Sequence, residues 1–179
     1  MQIGQFVTLG SGVMIGADSL IHNNVVIGDG VRVGARCVIK SGAVIGEEGF
    51  GFERDELGRP IRLIHLGSVL IGDDVEIGSL TTVCRGTLDD TVIEDFSKID
   101  DHVHIAHNVR VGRSALITAC AEVSGGAVIG DEAWLGPNVS VIQKVRIGGK
   151  SLVGIGSNVI RDVPLGATVA GNPAKVLKS

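Results

Sequence analysis

Three of the five histidines fall within one short segment, and imidazole is the side chain best suited to proton transfer near neutral pH. His102, His104 and His107 lie in the sequence KIDDHVHIAHNVRVG, residues 98–112. In an extended strand alternate side chains point the same way, so His102 and His104 share a direction that His107 need not share. His107 follows the aliphatic Ile105 by two residues, where a side chain can leave a strand corner. From this position the His107 side chain could enter a groove at the corner, which makes His107 a candidate functional residue.

An aliphatic residue recurs every six positions, and this repeat defines the elements that would position the histidines. The runs extend from Ile3 to Ile45, from Ile71 to Val83 and from Ile93 to Val159. A period of six does not match the helical period, and each glycine among the 27 would cost a helix about 1 kcal/mol. Short strands joined by tight turns fit instead, because Gly, Asn and Asp tolerate positive φ at corners. The sequence predicts an all-β parallel β-helix with three hexapeptides per coil and about seven coils.

Two insertions and a tail interrupt the repeat. Residues 47–66 are predicted to form a loop extruded from the coil. Residues 84–91 carry a four-residue bulge, because the aliphatic positions on either side of them lie ten residues apart instead of six. We expect residues 1–164 to form the β-helix and residues 165–179 to form a capping tail over its last coil.

The composition limits the classes of function. With 16 basic and 20 acidic residues the formal net charge is -4, and no basic cluster is present that would bind nucleic acid or an anionic membrane. No apolar run approaches the roughly 20 residues of a membrane-spanning helix, and the first residues lack the pattern of a signal peptide. The three cysteines are scattered without a zinc-ligand spacing. The sequence therefore predicts a cytoplasmic protein that needs no metal.

Several segments resemble the UDP-3-O-acylglucosamine N-acyltransferases of lipid A synthesis: Gly49–Phe52, Ile71–Ser79, Arg85–Thr91 and Ile105–Gly112. A further segment, AGNPAKV at Ala170–Val176, resembles the closing segment of acetyl-CoA-dependent sugar acetyltransferases. The resemblance to these hexapeptide acyltransferases implies a left-handed coil, a homotrimer and direct acyl transfer without an acyl-enzyme. The expected reaction is N-acetylation of a nucleotide-linked amino sugar by acetyl-CoA, in the synthesis of lipopolysaccharide or a related glycoconjugate.

The resemblance assigns His107 the role of the general base that takes a proton from the acceptor amine or hydroxyl group. One 18-residue coil after His107 lies Gly125, whose N–H we expect to stabilise the oxyanion. The donor site is expected to comprise the residues that continue this column and the basic residues of the tail: Gly125, Gln143, Arg161, Lys175 and Lys178.

The acceptor is expected to contact Phe50, Phe52, Arg85 and Asn108. An aspartate is expected to orient His107; Asp89, Asp90, Asp100 and Asp101 are candidates, and we select Asp100. Lys144 stands where the lipid A enzymes have a second functional histidine, and we expect neither their amino-terminal nucleotide-binding domain nor their carboxy-terminal helical extension. These differences favour acetyl-CoA over a long acyl chain on acyl carrier protein.

Three different functions stay open beside this one. The first is that of the γ-type carbonic anhydrases, which use the same repeat and whose zinc ligands include two histidines five residues apart, as His102 and His107 are. Their third histidine would fall near Arg62 or Leu66 instead of on His65. The second is an acyltransferase that takes a longer chain from acyl carrier protein, and the third is a non-enzymatic scaffold.

Overall fold

The computed structural model describes residues 1–178. Within this range the regular secondary structure consists of 27 β-strands and no helix. Numbered in chain order, the strands form three sheets and one hairpin. Sheet A consists of β1 (Gln2–Ile3), β4 (Leu20–Ile21), β7 (Val38–Ile39), β12 (Glu76–Ile77), β15 (Lys98–Ile99), β18 (Leu116–Ile117), β21 (Trp134–Leu135), β24 (Leu152–Val153), β26 (Thr168–Ala170) and β27 (Lys175–Lys178). Sheet B consists of β2 (Thr8–Leu9), β5 (Val26–Ile27), β8 (Val44–Ile45), β13 (Thr82–Val83), β16 (His104–Ile105), β19 (Glu122–Val123), β22 (Ser140–Val141) and β25 (Asn158–Val159). Sheet C consists of β3 (Met14–Ile15), β6 (Arg32–Val33), β11 (Val69–Ile71), β14 (Thr91–Ile93), β17 (Arg110–Val111), β20 (Val128–Ile129) and β23 (Arg146–Ile147). The hairpin is β9 (Phe52–Arg54) with β10 (Pro60–Arg62).

The register of the sheets is set by the 18-residue coil. Ile105 pairs in parallel with Val123, 18 residues further on. Across the bulge Val83 pairs with Ile105, 22 residues away, and across the extruded loop Ile45 pairs with Val83, 38 residues away. Both insertions therefore leave the stacking intact and project outward from the rod. The predicted parallel β-helix is confirmed.

The core is a stack of aliphatic side chains on the inner faces of the three sheets. The second residue of each typical strand points inward, as Ile39, Ile77 and Ile105 do with 0% exposure. Small residues two positions earlier, such as Ala115 and Ala133, are also fully buried and let the sheets converge. Burial of each large aliphatic side chain contributes about 1.5 to 3 kcal/mol. The hexapeptide period is thus the inward face of the coil.

The corners are stabilised by the backbone and by short polar side chains. Asn24 has a φ of 57°, in the left-handed region that asparagine tolerates better than most residues. The side chain before such a corner accepts a main-chain hydrogen bond from the preceding coil. Asn23 Oδ1 accepts from the Gln5 N–H at 2.7 Å, and Asp131 Oδ1 accepts from the Arg113 N–H at 3.0 Å. These bonds tie neighbouring coils together.

The carboxy-terminal end extends the solenoid further than predicted. Val163 forms an isolated parallel bridge with Ile147, and β26 still pairs in parallel with β24. Sheet A therefore stacks nine parallel strands, about nine coils, and the estimate of about seven was too low because the step from Val159 to Val163 breaks the six-residue period. The boundary drawn at residue 165 falls within the last coil, and only β27 turns back, antiparallel to β26. Residues 1–178 contain no helix that is long and apolar enough to cross a membrane.

Candidate active site

His107 lies half-buried at the corner that follows β16, in the wall of an open groove of about 390 Å³. Stacking of the coils brings residues 18 positions apart to the same corner. His107, Gly125 and Gln143 therefore share the groove, as their spacing predicted. The groove is lined by Thr87, Leu88, Asp89, His107, Asn108, Gly125, Gly126, Gln143 and Lys144.

Asn108 is held in one orientation by the bulge of residues 84–91. Its Oδ1 accepts hydrogen bonds from the Thr87 N–H at 3.1 Å and from Thr87 Oγ1 at 2.8 Å. Its Nδ2 donates to the Asp89 carbonyl at 3.0 Å, and its main-chain N–H donates to Thr91 Oγ1 at 2.9 Å. A main-chain N–H can only donate and a carbonyl can only accept, so these partners distinguish the amide oxygen from the amide nitrogen.

The Asn108 amide in turn fixes the tautomer of His107. His107 Nδ1 lies 3.0 Å from Asn108 Oδ1, and because that oxygen can only accept, Nδ1 must carry the proton in the neutral ring. The lone pair is then on Nε2. A Cβ atom placed on Gly125 would come within 2.8 Å of Nε2 and 2.7 Å of Cε1. The free lone pair of His107 therefore lies directly beside the Gly125 backbone, where it can accept a proton.

The Gly125 N–H is uncapped. At several equivalent corners the N–H is capped by an Asp or Asn side chain from the next coil, as Arg113 is by Asp131. The residue in the capping position for Gly125 is Gln143. Within residues 1–178 the Gly125 N–H has no main-chain or side-chain acceptor, and Gln143 is exposed. This donor is available to a ligand in the groove.

The extruded loop packs against His107 at Gly49, next to the Cδ2 atom of the ring. A Cβ atom on Gly49 would lie 3.2 Å from His107 Cδ2 and 3.4 Å from Cys84 Cβ. Burial raises the pKa of the Cys84 thiol, and the nearby Glu47 carboxylate adds to the effect. Cys84 therefore stays protonated near neutral pH and is a poor nucleophile.

A residue that the sequence did not place in the site also contacts His107. The ring of His65 packs edge-to-face on the ring of His107, with 5.5 Å between ring centroids and 77° between ring planes. The repeat could not reveal this contact, because His65 lies in the extruded loop and the loop does not follow the repeat. The sequence does contain one signal: Gly49 and Gly51 lie two positions apart, and glycine lets a backbone pass close to other groups.

The structure separates Asp100 and Arg85 from this groove. The Asp100 carboxylate accepts main-chain hydrogen bonds from Asp101 at 2.8 Å and Ala119 at 3.2 Å, at the corner after β15. Asn108, which we expected to contact the acceptor, bonds the His107 ring in the place assigned to Asp100. The Arg85 guanidinium instead donates to the Asp29 carbonyl and lines a second groove beside Glu47.

The remaining predicted residues lie at the surface. Phe50 and Phe52 contact each other in the hairpin, with ring centroids 4.9 Å apart and exposures of 88% and 36%. Arg161 is exposed at the corner after β25, in the same column as Gln143. Lys175 and Lys178 are exposed at the two ends of β27.

The histidines do not converge on one centre. His102 is exposed at the preceding corner, with a φ of 59°, and His104 Nδ1 lies 2.7 Å from Thr82 Oγ1 on the outer face of sheet B. In the part of the chain that the structure describes, no three His, Cys, Asp or Glu side chains are grouped so that they could hold a metal ion. The zinc-binding function therefore has no three-ligand site in residues 1–178.

Sequence comparisons connect this geometry to known proteins. Residues 12–47 match the family model described as bacterial transferase hexapeptide (six repeats). Over 126 residues, 70% of this chain, the sequence is 46% identical to UDP-3-O-acylglucosamine N-acyltransferase of Hahella chejuensis, and the match covers 31% of that protein. The Coxiella burnetii protein of the same name is 44% identical over 66% of this chain and 30% of its own length. The chain thus spans about a third of the length of these curated relatives.

Structural comparison gives the same fold over nearly the whole chain. UDP-N-acetylglucosamine O-acyltransferase of Moraxella catarrhalis superposes with a TM-score of 0.89 and 30% sequence identity, covering 97% of this chain and 66% of the other. UDP-N-acetylglucosamine acyltransferase of Francisella novicida superposes with a TM-score of 0.88 and 26% identity, covering 99% and 63%. The parallel β-helix is therefore shared with enzymes that acylate nucleotide sugars.

Proposed function

Since the chain belongs to the hexapeptide-repeat family, we propose that it transfers an acyl group directly from a thioester to a nucleotide-linked amino sugar. The observation that carries this proposal is the tautomer of His107. Its Nδ1–H is bonded to Asn108 Oδ1 at 3.0 Å, which leaves the Nε2 lone pair beside Gly125. A base of defined protonation next to an uncapped N–H is what acyl transfer requires.

The two groups divide the reaction between them. His107 Nε2 takes a proton from the acceptor nitrogen while that nitrogen attacks the thioester carbonyl carbon, and a tetrahedral intermediate forms. The Gly125 N–H donates to the new oxyanion, a contact worth about 2.7 to 4 kcal/mol in such sites. Collapse of the intermediate breaks the carbon–sulfur bond, and the proton on His107 passes to the departing thiolate. The products are the amide and the free thiol.

We propose the acceptor from the substrates of the relatives. The curated relatives act on UDP-3-O-acylglucosamine and the structural neighbours on UDP-N-acetylglucosamine, so the shared chemistry is a UDP-linked glucosamine derivative. We place this chain in lipopolysaccharide synthesis or a related pathway on the same grounds. The open groove beside His107 has room for a sugar ring at the base.

We propose acetyl-CoA as the donor, with acyl carrier protein as the alternative. Arg161 lies three coils beyond His107 in the same column, about 14 Å along the rod, a span that an extended pantetheine arm can bridge. The turn before β27 packs beside β25, where Ala174 N–H donates to the Asn158 carbonyl at 2.8 Å. This turn carries Lys175 to the end of the rod at which Arg161 lies. Such a basic end would suit the phosphates of coenzyme A.

We further propose that three copies assemble side by side around a common three-fold axis. Sheet A exposes Leu116, Trp134 and Leu152 in consecutive strands, with 38%, 48% and 40% of each residue accessible. An apolar stripe of this kind is typical of a surface covered in an assembly.

Thiol release from acetyl-CoA or from acetyl-loaded acyl carrier protein, measured with UDP-linked amino sugars, tests the function. We expect His107→Ala to lose activity by about 100- to 10,000-fold, because it removes the base, while His102→Asn changes it little. Thermal denaturation identifies the donor independently, since a ligand at 100 times its Kd stabilises by about 2.7 kcal/mol. Full activity in His107→Ala, or no stabilisation by either donor, would contradict the proposal.

A further inference from the structure

His65 is buried in a loop whose other side chains face solvent. It is 2% exposed, whereas its neighbours Ile64 and Leu66 are 72% and 74% exposed. Within residues 47–66, all of them described by the structure, no other side chain beyond glycine is buried. The surface that His65 covers includes the ring of His107, 5.5 Å away between centroids. The loop is thus anchored to the candidate base by a polar ring.

The hydrogen bonds of His65 fix its ring and its tautomer. Its Nδ1 lies 3.0 Å from the Leu63 carbonyl oxygen, which can only accept, so Nδ1 carries the proton in the neutral ring. Its main-chain N–H donates to Glu48 Oε1 at 3.3 Å. Nε2 is then an acceptor, and it is buried without a hydrogen-bond partner.

Two glycines shape the backbone around the ring pair. A Cβ atom on Gly51 would come within 2.7 Å of His65 Cε1, and one on Gly49 would lie 3.2 Å from His107 Cδ2. The Gly51 carbonyl accepts from the Leu63 N–H at 3.0 Å, which joins this strand to the segment that holds His65. The Gly49–Gly51 backbone therefore packs on both imidazoles at once.

The orphaned Nε2 shows that this ring is not optimal for stability. A buried acceptor without a partner loses its hydrogen bonds to water, and an apolar ring of similar shape would fill the space without that loss. Buried unsatisfied groups are rare, and they concentrate where function overrides stability. The Nδ1–H bond to Leu63 is the feature that an apolar ring could not supply.

We propose that His65 is a positioning residue for His107, an inference that rests on the proposed function. The Leu63 carbonyl fixes the plane of the His65 ring, and that ring packs edge-to-face against the ring of His107. Asn108 holds Nδ1, and His65 prevents the ring from swinging out of the groove toward the loop. Together they keep His107 Nε2 directed at the acceptor.

The first test separates positioning from packing with two variants. His65→Phe keeps a buried ring but loses the bond to Leu63; His65→Asn keeps a donor near the Nδ1 position but loses the ring. We expect kcat to fall by about 10- to 100-fold in both, with each KM within about twofold, because misplaced catalytic groups have effects of this size. We expect the Tm of His65→Phe to be equal to or above that of the parent protein. In a His107→Ala background neither substitution should lower the residual rate further.

The second test does not depend on turnover. In protein labelled with ¹⁵N-histidine, the ring signals that disappear in His107→Ala belong to His107. We expect these signals to shift in His65→Phe and His65→Asn and to stay in place in the matched control His102→Asn. If the parent protein transfers no acyl group yet the signals shift, the proposed function fails and the contact stands. Unmoved signals with unchanged kcat, a loss of Tm in His65→Phe that accompanies its loss of kcat, or an additive loss in the His107→Ala background would each overturn the positioning role.

Discussion

A single substitution could give the uncapped N–H of Gly125 a hydrogen-bond acceptor. At several equivalent corners an Asn or Asp side chain caps an N–H of the preceding coil, as Asn23 does for the Gln5 N–H at 2.7 Å. The next residue has a left-handed backbone in both turns: φ is 57° at Asn24 and 63° at Lys144, which follows Gln143. Because the two turns have the same shape, Gln143→Asn should place an amide oxygen on the Gly125 N–H.

The substitution should change stability and activity in opposite directions. A new hydrogen bond between coils adds about 0.5 to 1.5 kcal/mol to the free energy of unfolding. The same bond occupies the proposed oxyanion donor, and loss of one such donor slows turnover by about 100- to 1,000-fold. Gln143→Asn is therefore expected to be slightly more stable than the parent and far less active. Gln143→Ala removes the side chain without capping and should have the smaller effect.

Three measurements on the same variants check this reasoning. Amide hydrogen exchange of ¹⁵N-glycine protein reports whether the Gly125 N–H becomes protected, chemical denaturation gives the change in stability, and thiol release gives kcat. Ser41→Asn is the matched control, because Ser41 occupies the equivalent position for the Asn23 N–H, far from His107. It should gain stability and keep its activity. A protected Gly125 N–H with unchanged kcat would refute the oxyanion role.

Three further predictions concern the reactivity of the thiols, the pH dependence of stability and the assembly. Cys120 is exposed and should react with a disulfide reagent in the folded protein, whereas Cys37 and Cys84 should react only on unfolding, because burial raises the pKa of both thiols above the ordinary 9.0. The unfolded chain loses those protons first, so stability should fall as the pH rises above 9.0 and should be insensitive to these groups below it; a thiol titration and denaturation at several pH values test this. Light scattering should give three chain masses, and Trp134→Glu should lower that mass if the stripe on sheet A is the interface; a monomeric parent protein would contradict the trimer.

The fold could be predicted from the sequence because one physical requirement recurs in every coil. Each flat side needs an inward aliphatic residue and each corner needs a residue that tolerates a tight turn, so the pattern repeats every six positions. The number of coils was underestimated where this requirement was met with a different spacing. Val163 and Val169 are buried like the earlier members of the series, but the four-residue step after Val159 hides them.

The site could be predicted only as far as the repeat extends. His107, Gly125 and Gln143 share a groove because they are one coil apart, and that spacing is legible in the sequence. The hydrogen-bond partner of His107 could not be predicted from the sequence. Asn108 is oriented by the bulge of residues 84–91, and the conformation of that bulge does not follow the repeat. Asp100 was a reasonable choice by residue type, yet its carboxylate is occupied by main-chain N–H groups.

The two insertions explain how a repetitive frame acquires a single site. Both leave the strand register unchanged, so their residues do not have to supply the inward aliphatic side chains that the coils need. The bulge contributes Thr87, which bonds Asn108, and the extruded loop contributes Gly49 and His65, which contact His107. The coils thus place the proposed base and the proposed N–H donor at the corner where the two insertions meet, and the insertions orient the histidine ring. Substitutions in the insertions should therefore alter turnover more than stability, whereas substitutions of inward aliphatic residues should do the reverse.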